Sequence, residues 1–97
     1  MSKEEFSIMP FSELYSQYRF EGSHRHEVFY GRNRKKSIEL GLVIFLSPEA
    51  HNMSDNGIHF NKDFDLAVKR IAQKRCMEFY GWDLKKFIQE FGKNYLD

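Results

Sequence analysis

The pattern of apolar and polar positions first predicts two short strands. Residues 42–46 are continuously apolar and rich in β-branched side chains, and they lie between Gly41 and Pro48. Such a run is typical of a strand buried on both faces. Apolar and polar residues alternate enough over residues 25–30 to predict an earlier strand, which ends at Gly31.

Two helices are predicted in the C-terminal third. From about Lys62 to Phe79, apolar residues fall within one arc at 100° per residue, as in an amphipathic helix. Asp83 can cap a second helix that Gly92 ends. The arc of the first helix contains Phe64, Val68, Ile71, Ala72 and Phe79, with Lys69, Arg70, Gln73 and Lys74 outside it.

Shorter helices are predicted earlier in the chain. One runs from about Ser12 to Tyr18, after Pro10. Residues 37–40 are expected to close a helical turn. Residues 47–49, Ser-Pro-Glu, form a helix start, because serine caps free N–H groups and proline fits the first helical position. The helix that follows would carry His51.

Length and composition restrict the class of protein. A chain of 97 residues with 41% hydrophobic residues predicts one domain, residues 1–97. We divide it into an N-terminal segment (1–22), a central segment (23–61) and a C-terminal helical pair (62–97). The single cysteine, Cys76, cannot form an internal disulfide, which favours a reducing compartment.

Charge and hydropathy add two expectations. The net charge of +1 implies no general attraction to nucleic acid or to anionic lipid. No stretch approaches the roughly 20 apolar residues of a membrane span. We therefore expect a soluble protein of the cytoplasm without a membrane partner.

The four histidines carry the main chemical signal. His24, His26, His51 and His59 all lie outside the predicted amphipathic helices, in or beside turns. His24 and His26 are two apart, so on a strand they point the same way. Imidazole suits zinc and related ions, which take three or four ligands. Spacing alone leaves open whether these residues hold a metal or are separate structural histidines.

A dense basic run lies between the two predicted strands. It comprises Arg32, Arg34, Lys35 and Lys36. Such a run can bind a phosphate backbone or an acidic patch on a partner, and short basic runs are also common as solvated loops.

A resemblance covers the chain from His26 to Leu96. The sequence looks like small phage and prophage proteins of the HNH type, which have the ββα-metal fold. The succession of motifs carries the likeness: HEVFYGR at 26–32, GLV at 41–43, LSPEAHN at 46–52, GIHFN at 57–61, and FI with GKNYL between 87 and 96.

The resemblance implies an α+β fold, with a ββα-metal core, one short N-terminal helix and two C-terminal helices. It implies that His26, His51 and His59 hold one divalent ion, zinc being the first choice, in residues 23–61. His24 lies outside the motif. It is either a fourth ligand or a residue that does not bind the ion. In a nuclease of this type, the ion steadies a phosphate while a histidine activates water.

The chain departs from that family pattern at two places. Glu27 stands where such proteins usually place the general-base histidine, and a carboxylate with an ordinary pKa near 4.3 is a weaker base. The cysteines of a structural zinc knuckle are absent, with Ser47 at one expected position.

Two functions remain open. In one, the chain is a metal-dependent endonuclease that cuts DNA, with Glu27 as base and the basic run on phosphates. In the other, the ion is structural, with His24, Glu27, Asp55 or water as fourth ligand, and the protein acts by binding. We favour the second. The hypothesis is a phage-encoded zinc-binding inhibitor of a host defence nuclease, of the anti-CRISPR type, acting in the bacterial cytoplasm on a CRISPR effector.

Overall fold

The computed structural model describes residues 6–53 and 57–96, which form a small α+β domain with a two-stranded antiparallel sheet. A 3-10 turn, Gly31–Asn33, precedes the first helix, and a π-helical turn, Glu49–Met53, follows the second strand. The main elements are β1 (His24–Glu27), α1 (Arg34–Glu39), β2 (Val43–Leu46), α2 (Lys62–Tyr80) and α3 (Leu84–Phe91).

The sheet fixes which side chains of β1 share a face. His24 lies opposite Leu46, and His26 lies opposite Ile44. Residues that face each other across an antiparallel pair point to the same side, so both histidines project toward the core side that Ile44 and Leu46 occupy. Glu27, one residue further along, projects to the other side.

The predicted helix from Ser12 to Tyr18 is wrong. This segment forms turns, and Ser16 pairs with Phe45 on β2 through two backbone hydrogen bonds, of 3.1 and 2.8 Å. The hydroxyls of Ser12 and Ser16 each accept a hydrogen bond from the backbone N–H two residues later, at 3.0 and 3.1 Å. Such bonds to serine hydroxyls compete with the backbone hydrogen bonds of a helix. The pairing of Ser16 with the sheet further stabilises the non-helical conformation.

Helix α2 begins and ends as the sequence predicts. The Asn61 side chain accepts a hydrogen bond from the backbone N–H of Phe64 at 3.1 Å, and Gly81 ends the helix with φ 69°. The predicted apolar arc is wrong at two positions. Phe79 is about half exposed, and Gln73 is fully buried. Gln73 is buried because its side-chain amide forms hydrogen bonds with the C-terminal segment, to the Asn94 side chain and to a backbone N–H.

The core combines residues from all three segments of the chain. Phe87 and Phe91 of α3 stack on each other and contact Phe29, just after β1. Ile8 and Met9 contribute from the N-terminal segment. Among the helices in the described parts of the chain, none has the length and apolar character needed to cross a membrane.

Candidate metal centre

Three imidazole rings meet on the core side of the sheet. His26 comes from β1, His51 from the π-helical turn, and His59 from the turn that precedes α2. Their ring centroids lie 5.3 Å (His26–His51), 4.9 Å (His26–His59) and 4.7 Å (His51–His59) apart. One nitrogen from each ring lies within 4.8 Å of the others, close enough to bind one metal ion. We call these three residues the histidine cluster.

Local backbone bonds bring His51 and His59 together. The Ser47 hydroxyl accepts a hydrogen bond from the backbone N–H of Ala50 at 3.2 Å, which caps the turn as predicted. Further on, the N–H of Ile58 donates to the carbonyl of Ala50 at 2.7 Å, and the N–H of His59 donates to that of His51 at 3.3 Å. Because Ile58 is buried, the turn that carries His59 is anchored on the core.

Burial decreases across the histidine cluster. His26 is only 1% exposed, His51 is half-buried, and His59 is exposed. The cluster therefore reaches from the core to the surface, and a ligand can approach from the His59 side.

The buried histidine has an unused nitrogen. His26 Nε2 is buried and makes no hydrogen bond. Burial, helped by the charges of His59, His51 and Lys69, lowers the pKa of His26 to about 3, so its ring is neutral and has a free lone pair. Leaving a buried polar atom without a partner costs about 1–3 kcal/mol. A metal ion at this nitrogen would remove that cost.

The spacing of His51 and His59 also suits an ion. The Nε2 atoms of His51 and His59 lie 3.0 Å apart. Two nitrogens bound at about 2.0–2.1 Å to a tetrahedral zinc lie roughly 3.3 Å apart, so a small side-chain adjustment is sufficient. Burial, and the nearby charges of His59 and His24, lower the pKa of His51, which keeps that ring in its metal-binding form.

His24 lies on the other side of the His51 ring. The Nδ1 atoms of His24 and His51 are 3.2 Å apart, and the two rings meet edge to face. His24 thus contacts the His51 nitrogen that does not face His59.

A tyrosine and a lysine that the sequence interpretation did not single out border the histidine cluster. The Tyr30 ring packs against His26 and His59, with centroids 5.6 and 5.1 Å away. Lys69 Nζ lies 4.3 Å from the centre of the Tyr30 ring and pairs with Asp65 at 2.8 Å. Asp65 and Lys69 are four apart on a predicted helix, and this spacing could have identified their ion pair from the sequence.

Both oxygens of Glu27, the candidate general base, accept hydrogen bonds from arginines. Oε2 accepts from Arg25 Nε at 2.9 Å, and Oε1 accepts from Arg34 Nε at 3.1 Å. The side chain is only 15% exposed. Glu27 is therefore held in an ion-pair network on the side of β1 away from His26.

The predicted basic run divides into two roles. Arg34 pairs with Glu27, and Lys36 donates to the backbone carbonyl of Glu90 at the end of α3 and pairs with its carboxylate at 3.5 Å. A cation there suits the negative end of the helix dipole. Arg32 and Lys35 are exposed. Two of the four cations thus have structural partners, and two face solvent.

Asp55, one of the candidate fourth ligands, lies outside the described residues. Comparison of the chain with protein-family models, with curated proteins and with solved structures gave no match.

Proposed function

We propose that His26, His51 and His59 hold one zinc ion and that the protein acts by binding a partner rather than by catalysis. The observation that carries the metal site is the buried, unpartnered Nε2 of His26 beside two further imidazoles. Three imidazole nitrogens are a donor set that zinc accepts readily.

The ion's role in this proposal is structural. It joins β1 to the two turns that carry His51 and His59, and these lie more than twenty residues further along the chain. When a metal site does not exist in the unfolded chain, the free energy of metal binding adds to the free energy of folding. In a chain of 97 residues with a small core, this contribution is substantial.

The absence of catalysis is inferred from Glu27. A general base needs an oxygen within reach of the water it activates. Both oxygens of Glu27 accept from arginines, and its strand position directs it away from His26. This favours a binding protein over a nuclease.

For the partner, we propose a host defence nuclease, with a CRISPR effector as the first to test. The resemblance to small phage proteins supports this class of partner. An exposed apolar group near the N-terminus supports a protein partner, because such side chains are frequent at interfaces. The group consists of Phe11, Leu14, Tyr18 and Phe20.

The metal site is tested by elemental analysis of protein purified without a histidine tag. We expect one zinc per chain, and none in the His51→Ala variant. Lys35→Ala, at an exposed position, is the matched control and should keep its zinc. Wild-type protein without stoichiometric metal would contradict the site.

The partner is tested by co-purification with CRISPR effectors of several types and by their target cleavage. Binding and reduced cleavage are expected for one effector, and a Phe11→Ser, Tyr18→Ser variant should lose both. If no effector type is bound, the proposed partner is wrong.

Metal-dependent DNA cleavage is the second candidate, and one observation favours it. Three ligands and an exposed side at His59 leave a coordination position for water, as in catalytic zinc sites. The test is plasmid cleavage with magnesium, manganese or zinc added, beside a Glu27→Gln variant. Cleavage that requires Glu27 would establish this function and overturn the non-catalytic one.

A further inference from the structure

His24 contacts the histidine cluster without belonging to it. The nitrogens that meet come from His26, His51 and His59, whereas His24 Nδ1 lies 3.2 Å from Nδ1 of His51. Nε2 of the same His51 ring lies 3.0 Å from Nε2 of His59. Each nitrogen of His51 therefore has its own imidazole neighbour.

The chemistry of imidazole then fixes what each nitrogen of His51 can do. A neutral ring carries one proton, on one of its two nitrogens. If Nε2 binds a metal, the proton must be on Nδ1, and that N–H needs an acceptor, from the protein or from water. His24 Nδ1 is at hydrogen-bond distance and, as the Nε2–H tautomer, has the lone pair to accept it.

The sheet supplies the geometry for this contact. His24 and His26 are two apart on β1, so the strand directs both rings to one side. His26 thereby lies beside His51 and His59, and His24 lies beside Nδ1 of His51. Metal-bound histidines almost always donate their second N–H to a fixed acceptor, which orients the ring and makes the bound nitrogen more basic.

We infer that His24 is a positioning residue that accepts a hydrogen bond from His51 Nδ1–H and thereby directs His51 Nε2 toward the metal. This rests on the proposed zinc site. Loss of such an acceptor lowers metal affinity by about 10–100-fold. His24 itself contributes no bond to the ion.

Two substitutions separate a positioning residue from a ligand. In His24→Asn, the side-chain Oδ1 occupies nearly the place of the imidazole Nδ1 and can accept the same hydrogen bond, but an amide oxygen is a much poorer zinc ligand than an imidazole nitrogen. His24→Phe keeps the ring and removes the acceptor. Zinc affinity of the full chain is measured by competition with a chromophoric chelator, and the circular dichroism of each metal-free variant reports its fold.

We expect His24→Phe to bind zinc about 10–100-fold more weakly than wild type, and His24→Asn to bind within a few-fold of wild type. Equal affinity in all three proteins would overturn the positioning role and leave the zinc site intact. Equally weak binding in both variants would overturn it in favour of a ligand role. Wild-type protein that binds no zinc would overturn the site itself, and the inference with it.

A measurement on wild-type protein does not depend on either variant folding. Long-range nitrogen–proton NMR correlations of the zinc-loaded chain report which nitrogen of each histidine is protonated. We expect a proton on His51 Nδ1 and the metal on Nε2. Metal on His51 Nδ1 would contradict the inference.

Discussion

The backbone N–H of His59 donates to the carbonyl of His51 at 3.3 Å, while the Nε2 atoms of the same residues lie 3.0 Å apart. These two side chains are therefore brought together by a backbone contact, whereas His26 comes from a strand far earlier in the chain. An ion bound by all three closes a long segment of chain, and this has a measurable consequence.

Removal of metal should lower the thermal stability of the protein. At a free zinc concentration about 100 times Kd, binding adds about 2.7 kcal/mol to the free energy of unfolding. For a domain of this size that is roughly 10–20 °C in Tm. Melting followed by circular dichroism, with zinc and then with excess chelator, measures the shift. Magnesium is the control, and it should have little effect because it prefers oxygen ligands.

Metal-free protein should lose stability as the pH falls below about 6.5. In the unfolded chain, His26 takes up a proton near its ordinary pKa of 6.5, whereas burial lowers the pKa in the folded protein to about 3. Between these values the unfolded state binds more protons, so the free energy of unfolding falls with falling pH. Urea titrations in chelator at pH 7.5 and 5.5 measure this slope.

Replacing His26 with leucine is the control for the pH effect. His26→Leu should reduce the slope between pH 7.5 and 5.5, and part should remain because burial also lowers the pKa of His51. If the slope in the variant equals that of wild type, His26 is not the group responsible.

Alanine at Gly41 should destabilise the protein more than alanine at Gly22. Both glycines have positive φ, 78° and 79°, so each variant carries a similar backbone cost of about 1–2 kcal/mol. At Gly41 the new Cβ would also lie 2.8 Å from the Phe6 ring and 3.1 Å from the Ile8 nitrogen, whereas at Gly22 nothing lies within 4 Å. Urea unfolding of the two variants measures the difference, and equal losses would contradict the packing of Phe6 on Gly41.

Replacing Gln73 should weaken the docking of the C-terminal segment on α2. Its amide donates to the Asn94 side chain at 2.9 Å and accepts from the backbone N–H of Tyr95 at 2.7 Å. Gln73→Ala removes the acceptor of the Tyr95 N–H and one of the two donors to Asn94 Oδ1, and it should cost about 1–3 kcal/mol. Lys74→Ala, on the exposed side of the same helix, should change stability by less than about 0.5 kcal/mol. Equal effects in urea unfolding would refute the docking role.

Local signals predicted most of the elements. The continuous apolar run predicted β2, and Asp83 accepts the capping hydrogen bond predicted for the start of α3. The helix predicted from Ser12 to Tyr18 is wrong, because the pairing of Ser16 with Phe45 depends on a sheet formed far away in sequence. Gln73 was wrongly predicted to lie outside the apolar arc for the same reason, since its hydrogen-bond partners come from the C-terminal segment.

The candidate site was predictable in part. Motif order pointed to His26, His51 and His59, and the structure brings these three within reach of one ion. The contact between His24 and His51, and the position of Tyr30 beside the cluster, follow from strand register and loop closure. No spacing rule in the sequence encodes these contacts.

The pairing of Ser16 with Phe45 occupies the edge of β2 that faces away from β1. Nearby, the Ser7 hydroxyl donates to the carbonyl of Val43 at 2.7 Å, so that edge carries the chain's own N-terminal segment over most of its length. A foreign strand that added there would first have to displace this segment. The covered edge therefore opposes the addition of a strand from a second molecule. Another protein that binds at this edge would contact side chains rather than backbone groups.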